Sequence, residues 1–322
     1  MEVRAIQESE AHLYDEFVAE HGGLFNSRSW KAHVHGDRLT YYGIFRNRDQ
    51  LCAVFHLYTR TRFGLTFVTN PPFMPHAGLV IDNPAQNEAK YLSFDKDVLE
   101  ALTVFLNGLR YSVLSIALPP AVVDTQPFFW NKYKVVPKYT YQHDLARSEA
   151  EIESCLSTHV RKSIRRAAKD GVRLEQCSDY NIVQQLVRAT FARREKGLND
   201  DMVEAILQRV ASEQNSFAFV AHWEGRPVAV SFCLYDQAIC YSLFSGYDHD
   251  ATHEGAGKLC MYSCIAHAKN LGLRVFDFEG SMMVGVERYF RSFGPRMVPY
   301  YTINKGRLPL EIALKFVRRE QF

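Results

Sequence analysis

The chain has 322 residues, 47% hydrophobic and 23% charged, a composition that excludes wholesale disorder and low-complexity sequence and allows a large buried core. Lysine and arginine exceed aspartate and glutamate by only two, so a surface that coats nucleic acid over its whole extent is excluded, while a local basic patch is not. Seven cysteines without a Cys-x-x-Cys pair, no apolar run near the ~18 residues that cross a bilayer, and a charged start unlike a signal peptide set the expectation: a soluble cytoplasmic protein without disulfides or a metal site.

Along the chain, the pattern predicts a short strand Val3 to Ile6 and a helix His12 to Glu20. Two apolar runs follow, Tyr41 to Arg46 and Leu51 to Tyr58, separated by Asn47-Arg48-Asp49-Gln50 as in a hairpin. Thr66 to Thr69 adds a strand before the proline-rich Asn70 to Pro75. Val98, Leu99, Leu102, Phe105, Leu106 and Leu109 recur at helical spacing and predict a helix Asp95 to Leu109, with strands Val113 to Leu118 and Lys134 to Gln142 after it. The acidic stretch Asp144 to Glu153 reads as a domain junction. Cys260 and Cys264, one helical turn apart without further ligands nearby, read as core thiols.

In the second segment a helix Thr158 to Asp170 ends at Gly171, a strand Val172 to Cys177 follows, and helices are expected near Tyr180 to Arg193 and Asp200 to Glu213. Strands Phe217 to Trp223, Pro227 to Tyr235 and Ala238 to Tyr247 are antiparallel neighbours. Gly255-Ala256-Gly257 opens a long helix to Leu271. A strand Leu273 to Phe278, a helix Val286 to Phe293, a strand Met297 to Ile303 and a basic helix from Leu308 complete the set. This order resembles the GNAT acyltransferase fold. The first segment repeats it more thinly. The expected architecture is therefore α/β with a mixed sheet, in two tandem GNAT-like domains: residues 1–145, degenerate, and 146–307, more complete, followed by the helix 308–322.

Three features carry chemistry. Glycines at a helix start let backbone N–H groups approach an anion, so Gly255, Ala256, Gly257 and Lys258 are candidate phosphate contacts, with His253 beside them; the alternative is a turn that only links strand to helix. Between residues 155 and 175 six basic side chains face two acidic ones. On a helix, Arg161, Arg165 and Lys169 fall on one flank and Lys162 and Arg166 on the other, which suits phosphates or carboxylates, or else a solvated face with acidic partners. In a strand, Leu273, Val275, Asp277 and Glu279 share one side, which turns acidic at its carboxyl end. In a GNAT arrangement that end lies where two strands part. Glu279, further out than Asp277, is the leading candidate to accept a proton from an amine, unless both acids form ion pairs with Arg288, Arg291 or the basic helix. Backbone N–H groups near Ser245-Gly246-Tyr247 are candidates to stabilise an oxyanion, and Tyr289, Tyr300 and Tyr301 to protonate a leaving group.

The run Arg161 to Val172, the segment Phe276-Asp277-Phe278-Glu279-Gly280-Ser281 and the stretch Gly285 to Gly294 resemble the FemAB-like branch of the GNAT superfamily, as do Phe25-Asn26-Ser27-x-x-Trp30 and the proline-rich turn to Gly78. The resemblance, to FemAB-type aminoacyltransferases and BioF2-like acetyltransferase domains, implies transfer of an acyl or aminoacyl group to an amine. The donor is acyl-CoA or aminoacyl-tRNA, and the acceptor a small molecule or peptide precursor. It also implies a donor site at Ser245, Gly246 and Gly255 to Lys258, and phosphate contacts at Arg161, Arg165, Arg166, Lys169 and Arg288. The GNAT pyrophosphate motif begins with Arg or Gln three residues before its first glycine, where this chain has Thr252. That departure favours a competing reading: a non-catalytic module that binds a phosphate-rich partner, such as tRNA, through its basic helix. Specific DNA recognition has no motif to support it.

Overall fold

The structure is a computed structural model that describes residues 1–192, 199–251, 253–280, 282–308 and 310–322, grouped into two units: residues 1–138 with 299–322, and residues 139–298. The expected helix end at Arg193, Thr252 and Ser281 lie outside the described residues.

The first unit begins with β1 (Glu2–Ala5) and α1 (Ala11–His21), then β2 (Leu39–Arg46), β3 (Gln50–Arg62), β4 (Leu65–Thr69), β5 (Val80–Ile81), α2 (Glu88–Gly108), β6 (Val113–Ala117) and α3 (Gln126–Trp130). Asn47 and Arg48 take φ of 52° and 77°, the twist a tight hairpin requires, and β2 pairs β3 antiparallel across them. Neighbouring pairs are β1–β2, β3–β4, β3–β5 and, in parallel, β4–β6. Val98, Leu99, Leu102 and Leu106 of α2 are buried in a core with Phe55, Leu114 and Phe128, each burial contributing about 1.5–3 kcal/mol. The helix starts seven residues earlier than its apolar period indicates, because Asn87 caps it by accepting from Ala89 and Lys90 while the first two turns stay on the surface.

β7 (Lys134–Asp144) carries the chain into the second unit, followed by α4 (Glu149–Cys155), α5 (Thr158–Lys169), β8 (Arg173–Cys177), α6 (Tyr180–Ala192), α7 (Asp200–Ala205, continued by a π-helical segment to Val210), β9 (Ser216–Trp223), β10 (Arg226–Tyr235), β11 (Ile239–Tyr247), α8 (Ala256–Asn270), β12 (Val275–Asp277) and α9 (Val284–Arg291). Where a junction was expected, Ser148 and Glu151 form a reciprocal capping box that starts α4. The strand order is β7-β12-β11-β10-β9-β8, antiparallel except for the parallel β11–β12 pair. Its core joins Phe217, Phe276, Phe278 and Phe293 with the α8 residues Met261, Cys264 and Ile265; Cys260 and Cys264 are fully buried thiols.

β13 (Arg296–Gly306) returns to the first unit and pairs β6 from Thr302–Ala117 to Gly306–Val113. Tyr300 and Tyr301 lie on it, in the first unit, and line no part of the cleft described below. The terminal helix α10 (Leu310–Val317) is not the basic helix expected. It carries one acid and one base, Glu311 and Lys315, joined at 3.1 Å, and Arg318 and Arg319 follow it. No helix among the described residues is long and apolar enough to cross a membrane.

Candidate active site

β11 and β12 pair over three residues only: Ile239–Val275, Cys240–Phe276 and Tyr241–Asp277. Beyond Tyr241 the two strands part. Two local features drive this. Against β10, Phe244 faces Phe232 and Ser242 faces Cys233, so Leu243 is an extra residue in β11, a bulge that bends its strand. On the other side β12 ends at Asp277, and Glu279 and Gly280 both take left-handed backbone, φ 62° and 61°. A Cβ on Gly280 would stand 2.4 Å from the Tyr139 carbonyl oxygen, so only glycine fits there. Glu279 holds the same conformation with a side chain, a strain that costs roughly 1–3 kcal/mol and is characteristic of functional positions.

The parted strands open a cavity of about 900 Å³, lined by β10, β11, the end of α6, the start of α8, the turn after β12, and α9. Glu279 lines it; Asp277 does not. The expectation that the two acids share one face fails because the strand stops between them. The buried Asp277 carboxylate turns to β7, accepting from Thr140 Oγ1 and from Gln142 Nε2 at 2.7 Å, and it accepts the Glu279 N–H at 2.8 Å. Burial raises its pKa, against the pull of these hydrogen bonds. Burial and the Asp277 charge together push the Glu279 carboxyl well above the usual carboxylate range. Neither acid has an ion pair among the described residues; Arg291 pairs instead with Glu287 at 2.7 Å, and Arg288 is exposed and outside the cavity lining.

Tyr289 of α9 also lines the cavity, its hydroxyl donating to the Gly257 carbonyl at 3.1 Å, and burial raises its phenol pKa. Ser245 lines it too. Gly246 does not: a Cβ there would meet the α6 backbone, Leu186 and Val187, within 2.6 Å, so this glycine exists for helix-on-strand packing. The Tyr247 N–H is already taken by Thr190 Oγ1 at 2.8 Å, which removes one of the expected oxyanion donors.

The start of α8 is more self-contained than its glycines indicate. The Gly255 N–H donates to His253 Nδ1 at 3.1 Å and the Ala256 N–H to the His253 carbonyl at 3.0 Å, while His253 Nε2 faces Asp170 at 3.2 Å. Gly255 is required by contact with α5, since a Cβ would lie 2.2 Å from the Ser163 carbonyl oxygen; Ala256 is core. Lys258 lines the cavity but is engaged by Ser163 Oγ at 3.2 Å and Glu254 at 3.6 Å, and Lys258 in turn lowers the Glu254 pKa. A carboxylate thus stands at the helix end where a pyrophosphate was expected.

α5 buries Val160, Ser163 and Ala167 and turns its cations outward; none of them lines the cavity. Arg165 approaches Glu153 at 4.0 Å and Arg166 pairs with Asp170 at 3.2 Å, while Arg161, Lys162 and Lys169 have no ion pair among the described residues. The sequence reading missed the apolar wall of the cleft and the His253 cap. A signal for the wall was present in Met283, Val286 and Phe290, spaced i, i+3, i+7.

Residues 156–291 match the family model described as acetyltransferase (GNAT) domain. A comparison with curated proteins gave no match. Among solved structures, the chain is similar over its whole length to all of FemX (11% identity, TM-score 0.65). It is also similar over 96% of its length to 96% of the C-terminal domain of a putative lysylphosphatidylglycerol synthetase from Agrobacterium fabrum (13%, 0.58), and over 96% to 98% of a tandem GNAT protein of the clavulanic acid biosynthesis pathway (9%, 0.53). Residues 156–291 thus carry the match to a GNAT acetyltransferase domain, and the chain shares its fold with FemX.

Proposed function

We propose that the protein transfers an acyl or aminoacyl group to an amine by direct attack, with Glu279 as the general base. The observation that carries this is a carboxylate with a raised pKa and no ion-pair partner among the described residues, held in strained backbone at the mouth of two parted strands. The donor's carbonyl lies in the opening. Glu279 takes a proton from the acceptor ammonium, the freed amine attacks, the carbon–nitrogen bond forms, and the donor's carbon–oxygen or carbon–sulfur bond breaks. Tyr289 gives a proton to the leaving atom and recovers one from the new amide nitrogen, and backbone N–H groups along Ser242 to Ser245 stabilise the oxyanion. Asp277 positions Glu279 through its N–H and keeps its pKa high.

For the donor, aminoacyl-tRNA is favoured over acyl-CoA. The α8 start has two N–H groups satisfied by His253 and carries Glu254, a poor cradle for pyrophosphate. Arg161, Lys162 and Lys169 on α5 are free of ion pairs among the described residues and suit a polyanion. FemX-like structures support this choice, as does the lysylphosphatidylglycerol synthetase, whose name denotes an aminoacylated lipid product. Such a donor places the reaction in the cytoplasm. The same closed helix start is what favours the second reading, a module that binds a phosphate-rich partner without transfer. Label transfer from aminoacyl-tRNA and from acyl-CoA to a panel of amines separates the two: transfer that is lost in Glu279→Gln supports the enzyme, and stabilisation by either donor without transfer supports the binding module.

A further inference from the structure

The wall of the cleft bears on which acyl group it takes. Met283 at the N-cap of α9 and Val286 and Phe290 on the helix line the cavity, with Leu243 at the β11 bulge and Phe278 after β12. The opposite flank of α9 carries the Glu287–Arg291 ion pair and the exposed Arg288. An apolar stripe of this kind ordinarily packs into a core. Here Met283 remains 46% exposed, which is apolar surface left for an occupant. The polar groups of the lining are already engaged: His253 Nε2 with Asp170, and the Lys258 ammonium with Glu254. Only Glu279 is unmatched among the described residues, and the reaction needs it as a base. A charged acyl side chain therefore has no counter-charge in the cleft that catalysis can spare.

Resting on the transferase reading, we propose that the cleft takes an uncharged, apolar acyl group larger than acetyl or alanyl, its hydrocarbon part lying against the α9 stripe. A branched or aromatic aminoacyl ester and a medium-chain acyl thioester share this chemistry. In either case the acceptor ammonium gives one proton to Glu279, the carbonyl carbon gains the nitrogen and loses the donor oxygen or sulfur, and the nitrogen's second proton leaves on that donor atom.

Calorimetry on the full chain tests this without depending on turnover. One arm uses amide-linked alanyl-, leucyl-, phenylalanyl- and lysyl-adenosine, which cannot transfer; the other uses acetyl-, butanoyl- and octanoyl-CoA. The expected result is affinity rising about fourfold per added methylene in at least one arm, with lysyl no tighter than alanyl; the arm that shows the rise identifies the carrier. Val286→Asp, and the milder Met283→Ser at an exposed position, flatten the series. Equal affinities within both arms, or lysyl tightest, overturn the proposal. A flat series from an enzyme that still transfers label defeats the apolar selection alone. A rising series with no transfer from any donor supports the apolar site and defeats the transferase reading.

Discussion

The Glu279 backbone N–H donates to the carboxylate of Asp277, two residues earlier, at 2.8 Å. One acid thereby ends a strand and fixes the turn that aims the other into the cleft. Replacing Glu279 by Gln is expected to lower the transfer rate by about 10²–10⁴ with the melting temperature little changed. Glu279→Gly is expected to lose transfer as well but to gain about 1 kcal/mol of stability by releasing the left-handed strain, read by urea unfolding.

Because the Glu279 pKa is raised, its base form appears only above the ordinary carboxylate range, and kcat/KM should climb with pH beyond that range. In Asp277→Asn the repelling charge is gone, so Glu279 ionises more readily and the climbing limb should move to lower pH. A limb that stays in place in that variant, or moves upward, removes Asp277 from the tuning of the base.

Much of the fold was legible from residues alone. The three closely spaced runs that became β9 to β11 and the apolar period of α2 led to the elements found, and Glu224 and Gly225, with φ of 50° and 78°, make the tight turn between β9 and β10. The site was less legible, for physical reasons. Val275 to Phe278 reads as a continuous strand, yet where a ladder stops depends on a neighbouring bulge and on φ at Glu279, which side-chain pattern does not encode. Gly255 read as a phosphate contact because glycine serves close approach of any kind, and only the distance to Ser163 shows that the partner is a helix. The box at Ser148 and Glu151 was readable, but its acidic surroundings resembled a linker.

That helix contact gives a stability prediction. Gly255→Ala forces α5 and α8 apart and should cost about 1–3 kcal/mol in denaturant unfolding. Gly257→Ala, whose nearest neighbour is the Tyr289 hydroxyl at 4.0 Å, should be tolerated in stability.

If tRNA is the donor carrier, its affinity should fall with salt through the α5 cations. Changing Arg161, Arg165, Arg166 and Lys169 together to Gln, a good helix former, should make the slope of log K against log salt shallower by about 3. An unchanged slope in filter-binding titrations places the polyanion elsewhere.

In the first unit His35, His56 and His76 are held neutral by burial, with pKa values lowered to about 4, about 3 and about 4. The unfolded chain binds protons at these sites below its ordinary histidine pKa of about 6.5, and the folded chain does not. Stability is therefore complete above that pH and falls as pH drops toward 4, by roughly 1.4 kcal/mol per unit for each histidine. Both His35 ring nitrogens lack a hydrogen bond among the described residues, and the ring stacks on Trp30 at 6.0 Å. His35→Phe should keep the stability at pH 7 and reduce its acid dependence, measured by unfolding at pH 7, 5.5 and 4.5.

Since β11 and β12 pair over only three residues, the gap beside them is set by the β11 bulge and by the turn after β12, not by the side chains of α9. The wall on α9 is then free to vary while the carboxylate and the backbone edge opposite stay put. Descendants of such a scaffold can exchange one cargo for another by altering Met283, Val286 or Phe290 and leave the chemistry intact.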